Sequence, residues 1–169
     1  MIKIEKHTQI SVPIDLVNKI EQLLKILPPG HLAGVEKVVL VDSVYSKIHK
    51  KVDIEGIYRG KRRDHPAYIE IAIGELVQQM PRALYYFPYF WRYLLAKVLY
   101  HEVGHHYMQS LHGIKKEEWE SFAERYMRQM LRKAFPGASR IAWLIYSPRR
   151  ILRKAQKRRK DNTIHLPSS

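Results

Sequence analysis

The sequence predicts an α+β domain with a small sheet and several helices, followed by a basic tail. Apolar residues recur at helical spacing in residues 13–27 and again between residues 89 and 132, with β-rich runs between them. A chain of 169 residues with 46% hydrophobic content is long enough to bury one real core. We therefore expect one domain over residues 1–137 and a helical tail over residues 138–169.

The amino-terminal half is predicted to form one helix and then strands. The helix covers residues 13–27 and ends at the turn that Pro28-Pro29-Gly30 imposes. Residues 35–45 (VEKVVLVDSVY) are typical of a central strand, and residues 52–58 of a weaker one. A polar loop over residues 59–66 separates them from the next strand.

That next strand is predicted over residues 66–75 (PAYIEIAIGE). Its isoleucines occupy alternate positions, as a half-buried strand requires: Ile69, Ile71 and Ile73 alternate with Tyr68, Glu70 and Ala72. We expect this strand to belong to a small mixed or antiparallel sheet that packs on the helix that follows.

Two helices are predicted after the sheet. The first begins near Pro88, ends near Gly113 and carries one continuous stripe at helical spacing. The stripe consists of Trp91, Leu94, Val98, His101, His105 and Met108. The second covers residues 115–132, has Glu117 and Glu118 in its first turn, and should fold back antiparallel to the first helix.

The pentad His101-Glu102-Val103-Gly104-His105 has the form HExxH. Positions i and i+4 lie on one helix face, so both imidazoles can converge on a single ion. Glu102 lies beside that face, where it can take a proton from a zinc-bound water and return it to a leaving amine. The pentad therefore predicts a hydrolytic zinc site.

A catalytic zinc needs a third protein ligand, and a glutamate can supply it. Glu120 lies fifteen residues after His105, on the helix that folds back. Glu124 is one turn further along the same face, where it can accept a hydrogen bond from the other ring nitrogen of His101. We assign Glu120 to the metal and Glu124 to support of His101.

The two segments HEVGHH and ESFAERYM together resemble the gluzincin pattern, HExxH followed by ExxA(D/N)x(F/Y)A. That group of small zinc metallopeptidases includes the minigluzincins and the ImmA/IrrE-like proteins. The resemblance implies a zincin-like fold and a zinc-dependent peptidase with Glu102 as the catalytic residue and His101, His105 and Glu120 as ligands. The chain departs from the pattern in having Glu124 where Asp or Asn is usual, and Met127 where Ala is usual.

The same resemblance implies an edge strand before the catalytic helix, which receives peptide or protein substrate by strand addition. Main-chain hydrogen bonds then bind extended peptide with little regard to side chain. We assign this role to the strand that contains Ile69, Ile71 and Ile73.

Spacing assigns no metal-binding or catalytic role to the other histidines and tyrosines near the pentad. His112 follows His105 by seven residues, whereas a metzincin-type third histidine follows by six, and His106 points off the ligand face. We expect both to be structural or solvent-facing. An oxyanion stabiliser should exist, but spacing selects none of the nearby tyrosines, which are Tyr85, Tyr86 and Tyr107.

The formal net charge is +14, and residues 140–169 carry nine basic side chains against one acidic. Such a tail can be a solvated helix end, can neutralise nucleic-acid phosphates, or can lie on an anionic membrane with Trp143 as an anchor. It could also fold over the active site. The residues available for an anionic partner are Arg149, Arg150, Arg153, Lys154, Lys157, Arg158, Arg159 and Lys160.

A second basic cluster precedes the predicted substrate strand and consists of Arg59, Lys61, Arg62 and Arg63. If this loop lines the active site it favours acidic substrates, and otherwise it is an ordinary solvated loop.

The chain has no cysteine, which excludes disulfides and thiolate zinc ligands and permits a reducing compartment. The start lacks the apolar core of a signal peptide, and no uninterrupted apolar run reaches the length of a spanning helix. We expect a cytoplasmic zinc metallopeptidase without a transmembrane segment. The alternative is a zinc-containing regulatory or nucleic-acid-binding protein with little turnover.

Overall fold

The computed structural model describes residues 2–44, 54–61, 65–111 and 118–136. The chain divides into two units, Met1–Ala134 and Phe135–Ser169, and every helix and strand given below belongs to the first. The predicted binding residues of the tail, from Arg149 to Lys160, lie outside the described residues, as do Trp143, His112 and Gly113.

In the part of the chain that the structure describes, a mixed four-stranded sheet forms the first layer of the domain. The strands are β1 (Lys3–Lys6), β2 (Val35–Val41), β3 (Gly56–Arg59) and β4 (Ala67–Ala72), in the order β1-β2-β4-β3. The first, second and fourth strands are parallel, and β3 runs antiparallel to β4 at one edge. The predicted α+β class with a small mixed sheet is confirmed, and β2 is central as expected.

Four α-helices accompany the sheet within the described residues. They are α1 (Leu16–Leu24), α2 (Ile73–Gln79), α3 (Pro88–Ser110) and α4 (Trp119–Ala134). Helix α1 begins where the Asp15 carboxylate accepts the Asn18 N–H at 3.1 Å, and it buries Leu16, Ile20 and Leu23 at helical spacing. It is shorter at both ends than predicted, and a 3₁₀ turn over Pro29–Leu32 follows the predicted proline break.

The predicted edge position of the strand with the alternating isoleucines is wrong. Strand β4 pairs with β2 on one side and with β3 on the other, and Ile69 and Ile71 are fully buried. Because both edges of β4 already carry ladder hydrogen bonds, it cannot receive a peptide by strand addition.

The third isoleucine of the predicted substrate strand, Ile73, is also fully buried and begins α2 instead of ending the strand. The Gly74 N–H donates to the Asp42 carbonyl at 3.0 Å, and a β-carbon on Gly74 would lie 2.5 Å from that oxygen. The chain therefore turns into a helix against the end of β2, a close approach that glycine permits.

Helix α3 forms the centre of the second layer and carries the predicted stripe. Trp91, Leu94, Val98 and Met108 are all buried, and the helix packs against α1, α4, β3 and β4. Pro88 stands in its first turn, as predicted. The Tyr100 hydroxyl donates to the Leu23 carbonyl at 3.2 Å, which joins α3 to α1 in the core.

Helix α4 packs along α3 through a face that contains Ala123, Tyr126, Met127, Met130 and Leu131. It confirms the second predicted helix, and Glu120 lies in its first turn. Among the described residues, no helix is both long enough and apolar enough to cross a bilayer.

Candidate metal centre

The two pentad histidines face each other on one side of α3. Their Nε2 atoms lie 3.1 Å apart, and the rings are nearly perpendicular at 85°. The side chains are partly accessible, 25% for His101 and 17% for His105. The spacing of four residues thus places both imidazoles on one point at the surface of the helix, as predicted.

Helix α4 brings a carboxylate to the same point. Glu120 Oε2 lies 3.5 Å from His101 Nε2, and Glu120 Oε1 lies 3.5 Å from His105 Nε2. The Glu120 side chain is 81% exposed, so it can adjust around this position without disturbing the core. The carboxylate predicted as the third ligand therefore lies beside the two imidazoles.

The three residues fit a zinc ion. Tetrahedral zinc with bonds of about 2.0–2.1 Å places its ligand atoms about 3.3 Å apart, close to the 3.1 and 3.5 Å between these donors. With one oxygen taken from the carboxylate, the three donor atoms lie within 4.8 Å of one another. Rotation of the Glu120 side chain, which is 81% exposed, would shorten the longest of these distances.

A glycine and an alanine allow α4 to bring Glu120 this close. A β-carbon on Gly104 would lie 2.9 Å from Ala123 Cα and 3.2 Å from the Ala123 carbonyl oxygen. Ala123 itself is fully buried. The two helices therefore touch at the main chain, beside the three donor side chains.

Glu102 lies on the neighbouring face of α3 and is 7% exposed. Its Oε2 accepts the main-chain N–H of Tyr58 at 2.7 Å, so the carboxyl group faces strand β3. The pKa of Glu102 is raised to about 8 in all, chiefly by burial, which outweighs the lowering effect of the Tyr58 N–H; the Glu120 and Glu55 carboxylates add smaller increases that are part of this value.

The pKa of His105 is lowered, first by burial and then by His101. Metals bind the neutral imidazole, so this environment favours the form that can act as a ligand.

Sequence reasoning missed the contacts on the far side of Glu102. The Tyr58 hydroxyl lies 3.0 Å from His106 Nδ1, and His106 Nε2 lies 2.9 Å from the Ala33 carbonyl oxygen. His106 is buried and structural, one of the two roles expected for it, and burial lowers its pKa. The available signal was spacing, because Glu102 and His106 are four residues apart, like the two histidines of the pentad.

Strand β3 approaches α3 closely because it begins with a glycine. A β-carbon on Gly56 would clash with Val98 Cγ1 and would lie 3.3 Å from Glu102 Cγ. The helix with the pentad is thus in close contact with β3 on one side and with α4 on another.

Two other predicted residues form ion pairs. Glu124 Oε1 accepts from Arg128 Nη2 at 2.9 Å, and its predicted hydrogen bond to His101 stays a prediction. Arg59 lies in β3, not in a loop, and its Nη2 is 2.9 Å from Glu70 Oε2 on β4. Lys61 is exposed, and the rest of the basic cluster, Arg62 and Arg63, lies outside the described residues.

The three tyrosines near the pentad have different surroundings. Tyr85 donates its hydroxyl to the Ser11 carbonyl at 2.9 Å, and Tyr86 is 77% exposed. The Tyr107 ring stacks on His31 with centroids 3.9 Å apart. These contacts place Tyr85 and Tyr107 in the packing of the domain and select no oxyanion stabiliser.

No protein-family model matches this chain, and no curated protein or solved structure matches it.

Proposed function

We propose that this chain is a zinc-dependent metallopeptidase that hydrolyses peptide bonds with a water activated by Glu102. One observation carries the proposal. Two imidazole nitrogens and a carboxylate converge at 3.1–3.5 Å, and a buried carboxyl group lies next to them on the same helix. Two histidines, one glutamate and an adjacent second glutamate are the donors and the base that zinc-assisted hydrolysis requires.

In this proposal His101, His105 and Glu120 hold the metal. Zinc, when bound, lowers the pKa of water towards about 7 and polarises a carbonyl group. Glu102 accepts the proton of the attacking water and delivers it to the leaving amine. The Tyr58 N–H orients the Glu102 carboxylate through Oε2, and no described residue donates a hydrogen bond to Oε1.

The peptide substrate is proposed to add to β3, since β4 is paired on both sides. The Glu55 carbonyl accepts the Ala72 N–H of β4, whereas the Tyr58 N–H points to Glu102. Main-chain groups alternate in direction along a strand, so the N–H and C=O groups of Gly56 point away from β4, as the N–H of Tyr58 does. An extended peptide on this edge would pair with the main-chain groups of Gly56 and run beside Glu102, because the Tyr58 N–H already donates to Glu102.

The test compares zinc content and peptide cleavage in the wild type, Glu120→Ala and Glu102→Gln. After dialysis against trace zinc, we expect about one zinc per chain in the wild type and in Glu102→Gln, with clear loss in Glu120→Ala. Cleavage of an unfolded protein should require both glutamates. Glu21→Ala, which removes an exposed glutamate of α1, is the matched control and should behave as the wild type.

Absence of zinc from the wild type would refute the metal site. Zinc at full content with no cleavage of a broad peptide library would favour the second candidate, a zinc-containing regulatory or nucleic-acid-binding protein. The net charge of +14 supports that candidate, because a strongly basic chain is attracted to phosphates.

A further inference from the structure

We propose that Tyr58 is a positioning residue for Glu102, and that its hydrogen bond to His106 holds strand β3 where its main chain can orient the carboxylate. The proposal rests on the proposed peptidase function. It adds to that function a residue outside both sequence motifs.

Tyr58 makes two hydrogen bonds to helix α3. Tyr58 donates its main-chain N–H to Glu102 Oε2 at 2.7 Å, and its hydroxyl lies 3.0 Å from His106 Nδ1. Glu102 and His106 are four residues apart, so they lie one turn apart on the same face of α3. Tyr58 is therefore attached to two successive turns of the helix that carries the pentad.

The two hydrogen bonds of His106 have a defined direction. The Ala33 carbonyl can only accept, so His106 Nε2, which lies 2.9 Å from it, carries the proton. In the neutral imidazole Nδ1 is then an acceptor, and the Tyr58 hydroxyl donates to it. Both ring nitrogens of His106 therefore have a hydrogen-bond partner, Nδ1 in Tyr58 and Nε2 in Ala33. This fixes the imidazole, which in turn holds the Tyr58 phenol.

The short edge strand β3 needs a contact that holds it in place. Strand β3 has four residues, all partly accessible, and among the described residues it pairs only with β4. A short strand at a sheet edge opens locally at low cost in free energy. Packing of Gly56 against Val98 holds the start of β3, and the Tyr58 phenol holds it two residues further on.

The position of β3 affects the orientation of the Glu102 carboxylate. Proton transfer depends on the distance and direction between the Glu102 carboxylate and the attacking water. The N–H bond to Oε2 limits rotation of that carboxylate, and its geometry depends on where β3 lies. Loss of the phenol contact should therefore disturb the Glu102 carboxylate without removing any metal ligand.

The experiment compares Tyr58→Phe with Tyr68→Phe in the full-length, zinc-loaded protein. Tyr68 lies on the adjacent strand β4, beside Lys37, and serves as the matched control. Three quantities are measured: zinc content, hydrogen exchange of the residue 58 amide by NMR, and kcat and KM on an unfolded protein substrate. His106→Gln removes the same contact from the other side.

In Tyr58→Phe we expect full zinc content, amide exchange at residue 58 at least about tenfold faster, and kcat at least about tenfold lower with KM little changed. His106→Gln should give the same changes. The double variant should be no worse than either single variant, because one contact is lost in each case. Tyr68→Phe should match the wild type in every measurement.

Unchanged exchange and unchanged kcat in Tyr58→Phe would overturn the proposal. A lower zinc content together with a lower kcat in Tyr58→Phe would also overturn the proposal, because Tyr58 would then support the metal centre as a whole. A wild type that binds zinc but cleaves nothing would refute the peptidase function, and with it a role in positioning a catalytic base. The exchange data would still show whether the phenol holds the strand.

Discussion

Gly104 of α3 and Ala123 of α4 meet so closely that a β-carbon on the glycine would lie 2.9 Å from the alanine Cα. This contact lies between the pentad and the helix that carries the third donor. It gives a physical reason for two small residues that belong to no ligand: the glycine inside HEVGH and the alanine inside ESFA. Larger side chains would move Glu120 away from the two histidines.

Gly104→Ala should lower zinc affinity by at least about tenfold while all three donors remain. Overpacking a tight contact costs about 1–3 kcal/mol, whereas alanine gains about 1 kcal/mol over glycine in a helix interior. The clash is with main-chain atoms, so the helices must separate. Competition with a chromophoric zinc chelator measures the change. Ala83→Val, at an exposed alanine, is the control, and equal affinity in Gly104→Ala would contradict this account of the contact.

Gly56→Ala should destabilise the domain by about 1–3 kcal/mol, because the new methyl group would clash with Val98 Cγ1. It would also lie 3.1 Å from the Glu70 carbonyl oxygen, which cannot move without disturbing β4. Urea unfolding measures the loss. If the clash is with Val98, the double variant Gly56→Ala/Val98→Ala should lose less stability than the two single variants added together. If the stability losses of the two single variants simply add in the double variant, the clash is not with Val98.

The metal-free protein should lose stability relative to Glu102→Gln as the pH rises from 5 to 9. Burial raises the pKa of Glu102 from 4.5 to about 8 in the folded chain. A carboxyl group with a raised pKa favours folding while it is protonated. That contribution is complete below pH 4.5 and is lost as the pH rises through 8.

The glutamine variant stays neutral throughout, so the difference between the two proteins isolates this group. It should reach on the order of 4 kcal/mol. Urea unfolding in the presence of a chelator, at a series of pH values, measures it. Parallel pH curves for the two proteins would show that Glu102 titrates normally.

Truncation after Tyr146 should abolish binding to nucleic acid if the basic tail is the binding element. The deletion removes eight basic side chains between Arg149 and Lys160. Binding by the full chain should weaken steeply with salt, with a slope of about −0.9 for each phosphate neutralised on duplex DNA. Gel shift of labelled DNA or RNA at low and moderate salt measures it. No shift by the full chain at low salt would exclude this role.

Predictions from the sequence succeeded where periodicity was long and failed where the signal was short. The stripe from Trp91 to Met108 covers five helical turns, and α3 follows it closely. The isoleucine alternation covers only a few residues and indicated a half-buried strand, and the resemblance placed that strand at an edge, whereas β4 is a buried inner strand. The last of these isoleucines begins α2, a helix of seven residues that the alternating pattern concealed.

The sequence by itself determined the local chemistry of this protein. Spacing of four residues is enough to place His101 beside His105, because helix geometry alone brings their side chains together. Tertiary structure decided which other residues lie beside the pentad. Glu120 reaches the histidines because α4 packs at Gly104, and Tyr58 reaches Glu102 because β3 pairs outside β4 and passes close to α3 at Gly56. These contacts join residues far apart in the chain, so packing and strand order decide them, and spacing within one segment carries no information about either.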